Sequence, residues 1–245
     1  MELKIIHFYP DLMSLYGSYA NIAVLKRRLE QMDNTVSVQF VQPGEAVDLS
    51  DADFIFMGAG TERAQKAALT DFTRYGEAVK AAAEKGTVQF YAGTAMELLG
   101  KTITAADGKE YAGIGLADFT SVQGKRRFVE DVYGSTSLYP EAVVGFMNKC
   151  SVISGVETPL LTSVSLGYGN EGAKTPEGFH QNNVFGSHLT GPLLVKNPLL
   201  LEKMIIAIYA NRGEALPEIL PLDHWANHGY DITAKQLALR AQNNA

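Results

Sequence analysis

Cysteine is nearly absent from this chain of 245 residues: Cys150 stands alone. No intrachain disulfide is possible, and a cysteine-rich zinc site is excluded. A single thiol fits a reducing compartment. Positive charge is also scarce. The 21 Lys and Arg residues face 27 Asp and Glu, giving a formal charge of −6 and a pI of about 5.4. No basic stripe follows a phosphate backbone, so nucleic acid is not an expected partner. Long apolar runs are missing as well. A stretch such as Met204 to Ala210 is far too short to span a bilayer. The opening Met-Glu-Leu-Lys lacks the charged and then apolar layout of an export signal. The expectation is a cytoplasmic protein with no membrane span. The remaining composition is that of an ordinary globular protein, 46% hydrophobic and 20% charged, enough for one substantial core.

The first third alternates strand and helix patterns. Ile5 to Phe8 reads as a short buried strand ended by Pro10. Ile22, Leu25, Leu29 and Met32 recur at helical spacing, with Lys26, Arg27, Arg28 and Glu30 on the wet side. Val36, Val38 and Phe40 alternate as a strand does. Phe54 to Met57 is an apolar strand running into Gly58-Ala59-Gly60, and one long helical segment follows, closed by Gly86. Thr87 to Tyr91 is the next strand, with Gly93 at its exit before a short helix. This order predicts an α/β fold, a doubly wound and mostly parallel sheet with flanking helices. Past Gly100 the pattern changes to a mixed or antiparallel strand extension. A hairpin turns at Asp107-Gly108, and strands are expected at Arg127 to Val132, Ala142 to Phe146, Leu160 to Gly167 and Asn183 to Leu189. Pro198 opens an apolar helix over Leu199 to Tyr209 that ends at Asn211-Arg212-Gly213. The main domain is therefore expected to cover residues 1–213. Residues 214–245 form a surface-packed or partner-binding tail, with a weak helix near Ala234 to Arg240.

In open α/β sheets ligands gather at the carboxyl ends of strands. Two such ends stand out. Gly58-Ala59-Gly60-Thr61 begins like a dinucleotide fingerprint, but Arg63 holds the place of the third glycine. A tight turn needing glycine dihedrals is the plainer reading, although its backbone N–H groups suit an anion or oxyanion. Gly93-Thr94-Ala95 has the layout of a nucleophile elbow, with strand, sharp turn and helix. Its apex, Gly93, has no side chain, and on this segment alone a plain turn wins.

Several short motifs agree in order across residues 5 to 212. They are Tyr9-Pro10-Asp11-Leu12-Met13-Ser14-Leu15-Tyr16-Gly17 with Asn21-Ile22, Phe56-Met57-Gly58-Ala59-Gly60 with Gln65, Leu98-Leu99-Gly100, Arg127-Phe128, Asn183-Val184-Phe185-Gly186-Ser187, and Gly191-Pro192 through Asn197-Pro198. Together they resemble the GatD branch of the cobyric-acid-synthase-type (CobB/CobQ-type) class I glutamine amidotransferases. The resemblance implies that fold. It also implies a partner like MurT, a Mur-ligase-type enzyme that amidates the peptidoglycan stem in lipid II isoglutaminyl synthase. The departures from the family pattern are as informative. The family cysteine falls on Gly93, its two glycines on Thr94 and Ala95, and its glutamine on Glu97. The family histidine falls on Thr190, the tyrosine before it on His188, and a Gln-Asp pair on Thr61-Glu62. A glutaminase needs both thiolate and imidazole, so the expectation is a pseudoenzyme with no catalytic residues.

What remains is a vacated pocket at Gly58, Gly60, Thr94, Arg127, His188 and Thr190, open to a small polar molecule. On a strand, positions 188 and 190 face the same side about 6.5–7 Å apart. The His188 ring can therefore enter that pocket, against the plainer role of a hydrogen-bonded structural histidine. Cys150 follows Asn148-Lys149 in a strand context and reads as a packed thiol rather than a displaced nucleophile. Lys125 and Arg126 read as solvated, with Arg127 facing the cleft, suited to a carboxylate. Asp223-His224 with His228 has helical metal spacing but no third ligand, and Trp225 among prolines suits a docking surface better. No metal and no cofactor are expected. The favoured function is a scaffold or regulator of a ligase in peptidoglycan modification. The alternatives are a stand-alone binding module in the same pocket, or a hydrolase that relocates its nucleophile to Thr94 with His188 as base.

Overall fold

The computed structural model describes residues 1–217 and 224–244. In chain order it places β1 (Glu2–Phe8), α1 (Ala20–Gln31), β2 (Thr35–Val41), β3 (Phe54–Met57), α2 (Glu62–Phe72), α3 (Gly76–Lys85) and β4 (Val88–Ala92). A 3-10 turn over Gly93–Leu99 follows, then β5 (Thr102–Thr104), β6 (Glu110–Ala112), β7 (Thr120–Ser135), β8 (Val143–Ser154) and β9 (Ser163–Leu166). The chain ends with β10 (Phe179–Gln181), β11 (Val184–Ser187), β12 (Leu189–Thr190), α4 (Leu193–Lys196), α5 (Pro198–Arg212) and α6 (His224–Asn243).

The first sheet has the order β10-β11-β4-β3-β1-β2. All its pairings are parallel except β10 on β11. This is the doubly wound sheet that the alternating elements predict. β3 and β4 are buried along their whole length because helices cover both faces. Alternate residues serve opposite layers. Ile5, Phe54, Phe56 and Phe90 pack with Ile22, Leu25 and Ile208 on one side, and Ile6, Phe8, Ile55 and Met57 with Leu69, Phe72 and Val79 on the other. Of the three apolar residues expected on one face of β2, Val36 is buried and Val38 half-buried, whereas Phe40 stands 57% exposed.

The long helix expected after Gly60 is two helices. A 3-10 turn at Thr73–Tyr75 separates α2 from α3. The break turns both Phe72 and Tyr75 onto Phe8, with ring centroids 5.2 and 5.1 Å away. Gly86 then caps α3 in the left-handed region at φ 92°, as its sequence position requires.

The strand extension is a second, mixed sheet, β12-β8-β7-β5-β6 with β9 on β7, antiparallel except where β5 runs parallel to β7. Its hairpin turns at Asp107-Gly108, where Gly108 has φ 85°. The single strand expected over Asn183 to Leu189 is divided: β11 belongs to the first sheet and β12 to the second. His188 sits at the crossing. The expected C-terminal helix is longer than its sequence pattern suggests, because α6 spans His224–Asn243. It lies on β7, β8 and β9, with Leu237 and Ala241 buried against Val144 and Leu166. Residues 218–223, at the start of the tail expected to pack on the surface or bind a partner, lie outside the described residues. Among the described residues, no helix is long and apolar enough to cross a membrane.

His7, on β1 next to the edge strand of the first sheet, is buried beside Phe40 and Phe56, and neither ring nitrogen has a hydrogen-bond partner. Burial lowers its pKa from 6.5 to about 4. The unfolded chain takes up this proton first, so stability falls as pH drops from 6.5 toward 4. At about 1.36 kcal/mol per unit, the loss is about 3 kcal/mol. Urea unfolding across that window should show it, and a His7→Leu variant should flatten that part of the profile.

Candidate functional site

The two turns singled out by the sequence meet at the carboxyl ends of β3 and β4. The loop after β1 closes over them. A Cβ at Gly58 would stand 2.2 Å from the Met13 carbonyl oxygen, and one at Gly60 would stand 2.3 Å from the Met13 sulfur. These glycines therefore let one backbone lie on another. Gly58 lies beneath the loop and does not line the cavity, contrary to expectation. The Leu15 N–H donates to the Ala59 carbonyl at 2.9 Å, and the Ala59 N–H donates to Ser18 Oγ at 3.1 Å. The Thr94 hydroxyl ties the second turn to the first: it donates to the Gly60 carbonyl at 3.0 Å and accepts from the Gly60 N–H at 3.1 Å.

Gly93 has φ 60°, in the left-handed region. A Cβ built there would lie 2.6 Å from Ala59 Cβ and 3.6 Å from Thr190 Cγ2. Gly93 and Thr190 are therefore neighbours across the site, and the Ala59 methyl fills the space that any side chain at 93 would need. The Thr190 hydroxyl donates to the Phe146 carbonyl at 2.9 Å. Around them is a cavity of about 190 Å³ that Gly60, Gly93, Thr94, Arg127, His188 and Thr190 help to line. Five of the six expected pocket residues thus come together.

Arg127, at the rim, already holds a carboxylate. It donates through Nη1 to Glu62 Oε1 at 2.8 Å and through Nε to Asn148 Oδ1 at 2.7 Å. Partial burial would raise the Glu62 carboxyl, but its own backbone N–H and Arg127 outweigh this and hold it below the usual range. Lys125 and Arg126 are exposed, as expected.

His188 is only 2% exposed, and its ring engages protein rather than open space. Nε2 lies 3.2 Å from Glu97 Oε1, and Nδ1 lies 3.8 Å from Glu177 Oε1 without a hydrogen bond. A carboxylate facing Nε2 requires the proton on that nitrogen. Glu97 also accepts from Ser121 Oγ at 2.7 Å, Ser151 Oγ at 2.8 Å and Gln123 Nε2 at 3.0 Å. Burial alone would raise this carboxyl. The bonds and charge of His188, with the two serines, overcome it and hold the carboxyl far below its ordinary range. Glu177 accepts the His188 backbone N–H at 2.7 Å and Ser187 Oγ at 2.8 Å. Lys149 is also buried and donates to the Asn170 carbonyl at 2.9 Å; burial lowers its ammonium to about 8. Sequence reasoning missed Glu177 and Lys149 entirely and did not pair Glu97 with His188. The available signal was charge inside apolar surroundings, such as Glu97 between Met96 and Leu98.

Cys150 is a buried free thiol on β8 that donates to Glu62 Oε1 at 3.3 Å. Burial, reinforced by that carboxylate, pushes its pKa up to about 11. The thiolate is the nucleophile, so iodoacetamide at neutral pH should alkylate native Cys150 far more slowly than it does after urea unfolding. Intact-mass time courses would show the difference. Among the described residues no group of three His, Cys, Asp or Glu is placed to hold a metal. The rings of His224 and His228 stack 6.1 Å apart, and Asp223 lies outside the described residues.

Comparison with known proteins agrees with this architecture. Residues 4–198 match the family model of the CobB/CobQ-like glutamine amidotransferase domain. The GatD subunit of the glutamine-hydrolysing lipid II isoglutaminyl synthase of Staphylococcus aureus is 31% identical over 210 residues, 82% of this chain and 84% of the relative. Its counterpart from Streptococcus pneumoniae is 30% identical, over 83% of this chain and 79% of the relative. Among solved structures, PurLQS from Thermotoga maritima aligns over 86% of this chain and 99% of its own, with a TM-score of 0.55 at 13% identity. A glutamine amidotransferase from the same organism aligns over 96% and 94%, with a TM-score of 0.52 at 9% identity. Those two establish a shared fold. With most of its length matched, the chain belongs to the CobB/CobQ-like glutamine amidotransferase family.

Proposed function

We propose that this protein is a GatD-like subunit that has lost glutaminase chemistry and supports a Mur-ligase-type partner in amidating a peptidoglycan precursor. One observation carries the reading. The turn where a family nucleophile belongs is glycine at φ 60°, with the Ala59 methyl 2.6 Å from the place of its missing Cβ. The position is not merely empty but filled from the other side. Thr190, taken as the former base position, has its hydroxyl bonded to the Phe146 carbonyl. Thr94 is no substitute nucleophile in this reading, because its hydroxyl is bonded at both lone pair and proton to Gly60 while His188 engages Glu97.

Reconstitution with the ligase tests the proposal. Amidation of the lipid-linked substrate should proceed with ammonium salts and stay at background with glutamine, and omission of this subunit should lower the ammonium-driven rate. Equal rates with and without the subunit would remove the scaffold role. A second reading, a small-molecule module in the cavity of about 190 Å³ beside His188 and Thr190, gains support from the polar side chains Thr94, Arg127 and Asn148 that also reach its wall. Under that reading the ligase is indifferent to the subunit, and a small polar metabolite shifts the melting temperature.

A further inference from the structure

The exposed large apolar residues of α6 are Trp225, Ile232 and Leu239, at 77%, 52% and 47% exposure. They are seven residues apart. At 3.6 residues per turn this spacing makes one row along the helix, drifting about 20° per step, over a length of about 21 Å. The row points outward, because Leu237 and Ala241 fix the other face of α6 to the second sheet. Tyr230 Oη donating to the Ala142 carbonyl at 2.7 Å and Arg240 pairing with Glu130 and Asp131 hold the helix in that setting.

We propose that this row is a homodimer contact, in which the α6 helices of two copies pair antiparallel about a two-fold axis at Ile232. The row is symmetric about that residue, so antiparallel pairing sets Ile232 on Ile232 and each Trp225 against the second copy's Leu239. A surface that matches itself in this way is what a two-fold contact requires. On one flank, helical geometry sets Lys235 beside the second copy's His228; on the other, Gln236 falls beside Gly229, which has no side chain to obstruct it. Charge also favours a second copy here. The chain carries −6 overall, so two copies repel through most faces. The exposed residues of α6 from 225 to 239 carry one acid, Asp231, and one base, Lys235, so this face is neutral. The inference does not rest on the amidotransferase reading.

Disulfide trapping in the full-length chain tests it. In a Cys150→Ala background, Ile232→Cys should form a covalent dimer on mild oxidation, at twice 26.6 kDa. The rate should far exceed that of Glu77→Cys, a 93% exposed control on α3. Trp225→Cys and Leu239→Cys should cross-link when mixed, and neither should do so efficiently alone. Ile232→Asp in the native chain should shift the sedimentation mass from dimer to monomer. Three results would each overturn the proposal: Ile232→Cys no faster than the control, Trp225→Cys cross-linking to itself, or a native chain that stays monomeric at every concentration. Loss of ligase binding in an Ile232→Asp protein that was always monomeric would assign the row to the ligase instead.

Discussion

Gly93→Cys alone should leave the protein unable to hydrolyse glutamine or to react with a glutamine-analogue electrophile. The new Cβ would meet Ala59 Cβ at 2.6 Å, far inside contact distance, on a backbone already at φ 60°. Thr190→His alone should be equally silent, because thiol and imidazole act as a unit and single restorations yield almost nothing. The combination Ala59→Gly, Gly93→Cys and Thr190→His removes the blocking methyl and supplies both groups. With Thr190 Cγ2 3.6 Å from the new Cβ position, an imidazole at 190 comes within reach of the thiol. The electrophile should then label the introduced thiol of the triple variant at least about tenfold faster than native Cys150, as read by mass spectrometry of the peptide. Leaving Ala59 in place should abolish most of that gain. Turnover should stay poor, because Thr94 and Ala95 stand where the family pattern has glycines. A misaimed oxyanion donor costs about 2.7–4 kcal/mol. A folded triple variant labelled no faster than Cys150 would show that position 93 is not the elbow.

Glu97→Leu should cost more stability than any other single change near the site. The carboxylate receives Ser121, Ser151, Gln123 and His188 in a fully buried pocket. Its removal leaves those buried donors unpaired, a loss of about 1–3 kcal/mol for each group left unsatisfied. Glu97→Gln should cost less, since the amide oxygen still accepts. A double-mutant cycle of Glu97→Gln with His188→Tyr should show coupling above about 0.5 kcal/mol, as contacting residues do. The pH dependence has a definite sign. The folded carboxyl titrates below the unfolded one, so its contribution is complete above about 4.5 and fades as pH falls further. A Glu97 variant should lose that part of acid denaturation while keeping the part at higher pH that belongs to His7.

The doubly wound sheet was legible because β3 and β4 are short, apolar apart from Gln89, and followed by glycine turns. Local pattern and final burial agree there. The same was true of the hairpin at Asp107-Gly108 and of α5, framed by Pro198 and Gly213. The crossing at His188 was not legible. The residues from Asn183 to Leu189 look like one strand, and nothing local marks where the chain leaves one sheet for the other. The buried charges were hidden for a related reason. Glu97 is satisfied by residues from β7, β8 and the crossing, partners from 24 to 91 positions away. α6 was underestimated because, of its 20 residues, Leu237 and Ala241 are the buried ones, a weak periodic signal. Of the pocket, Gly93 and Thr190 came from motif spacing, whereas the role of Ala59 required seeing its methyl point at Gly93.

The most direct test of the proposed loss of glutaminase chemistry is glutamate release from glutamine by the purified chain, followed with coupled glutamate dehydrogenase, alone and with a Mur-ligase-type partner present. No rate above the uncatalysed background is expected in either case. Steady glutamate production that survives Cys150→Ala would contradict that loss, because a nucleophile other than Cys150 would then be working in this fold.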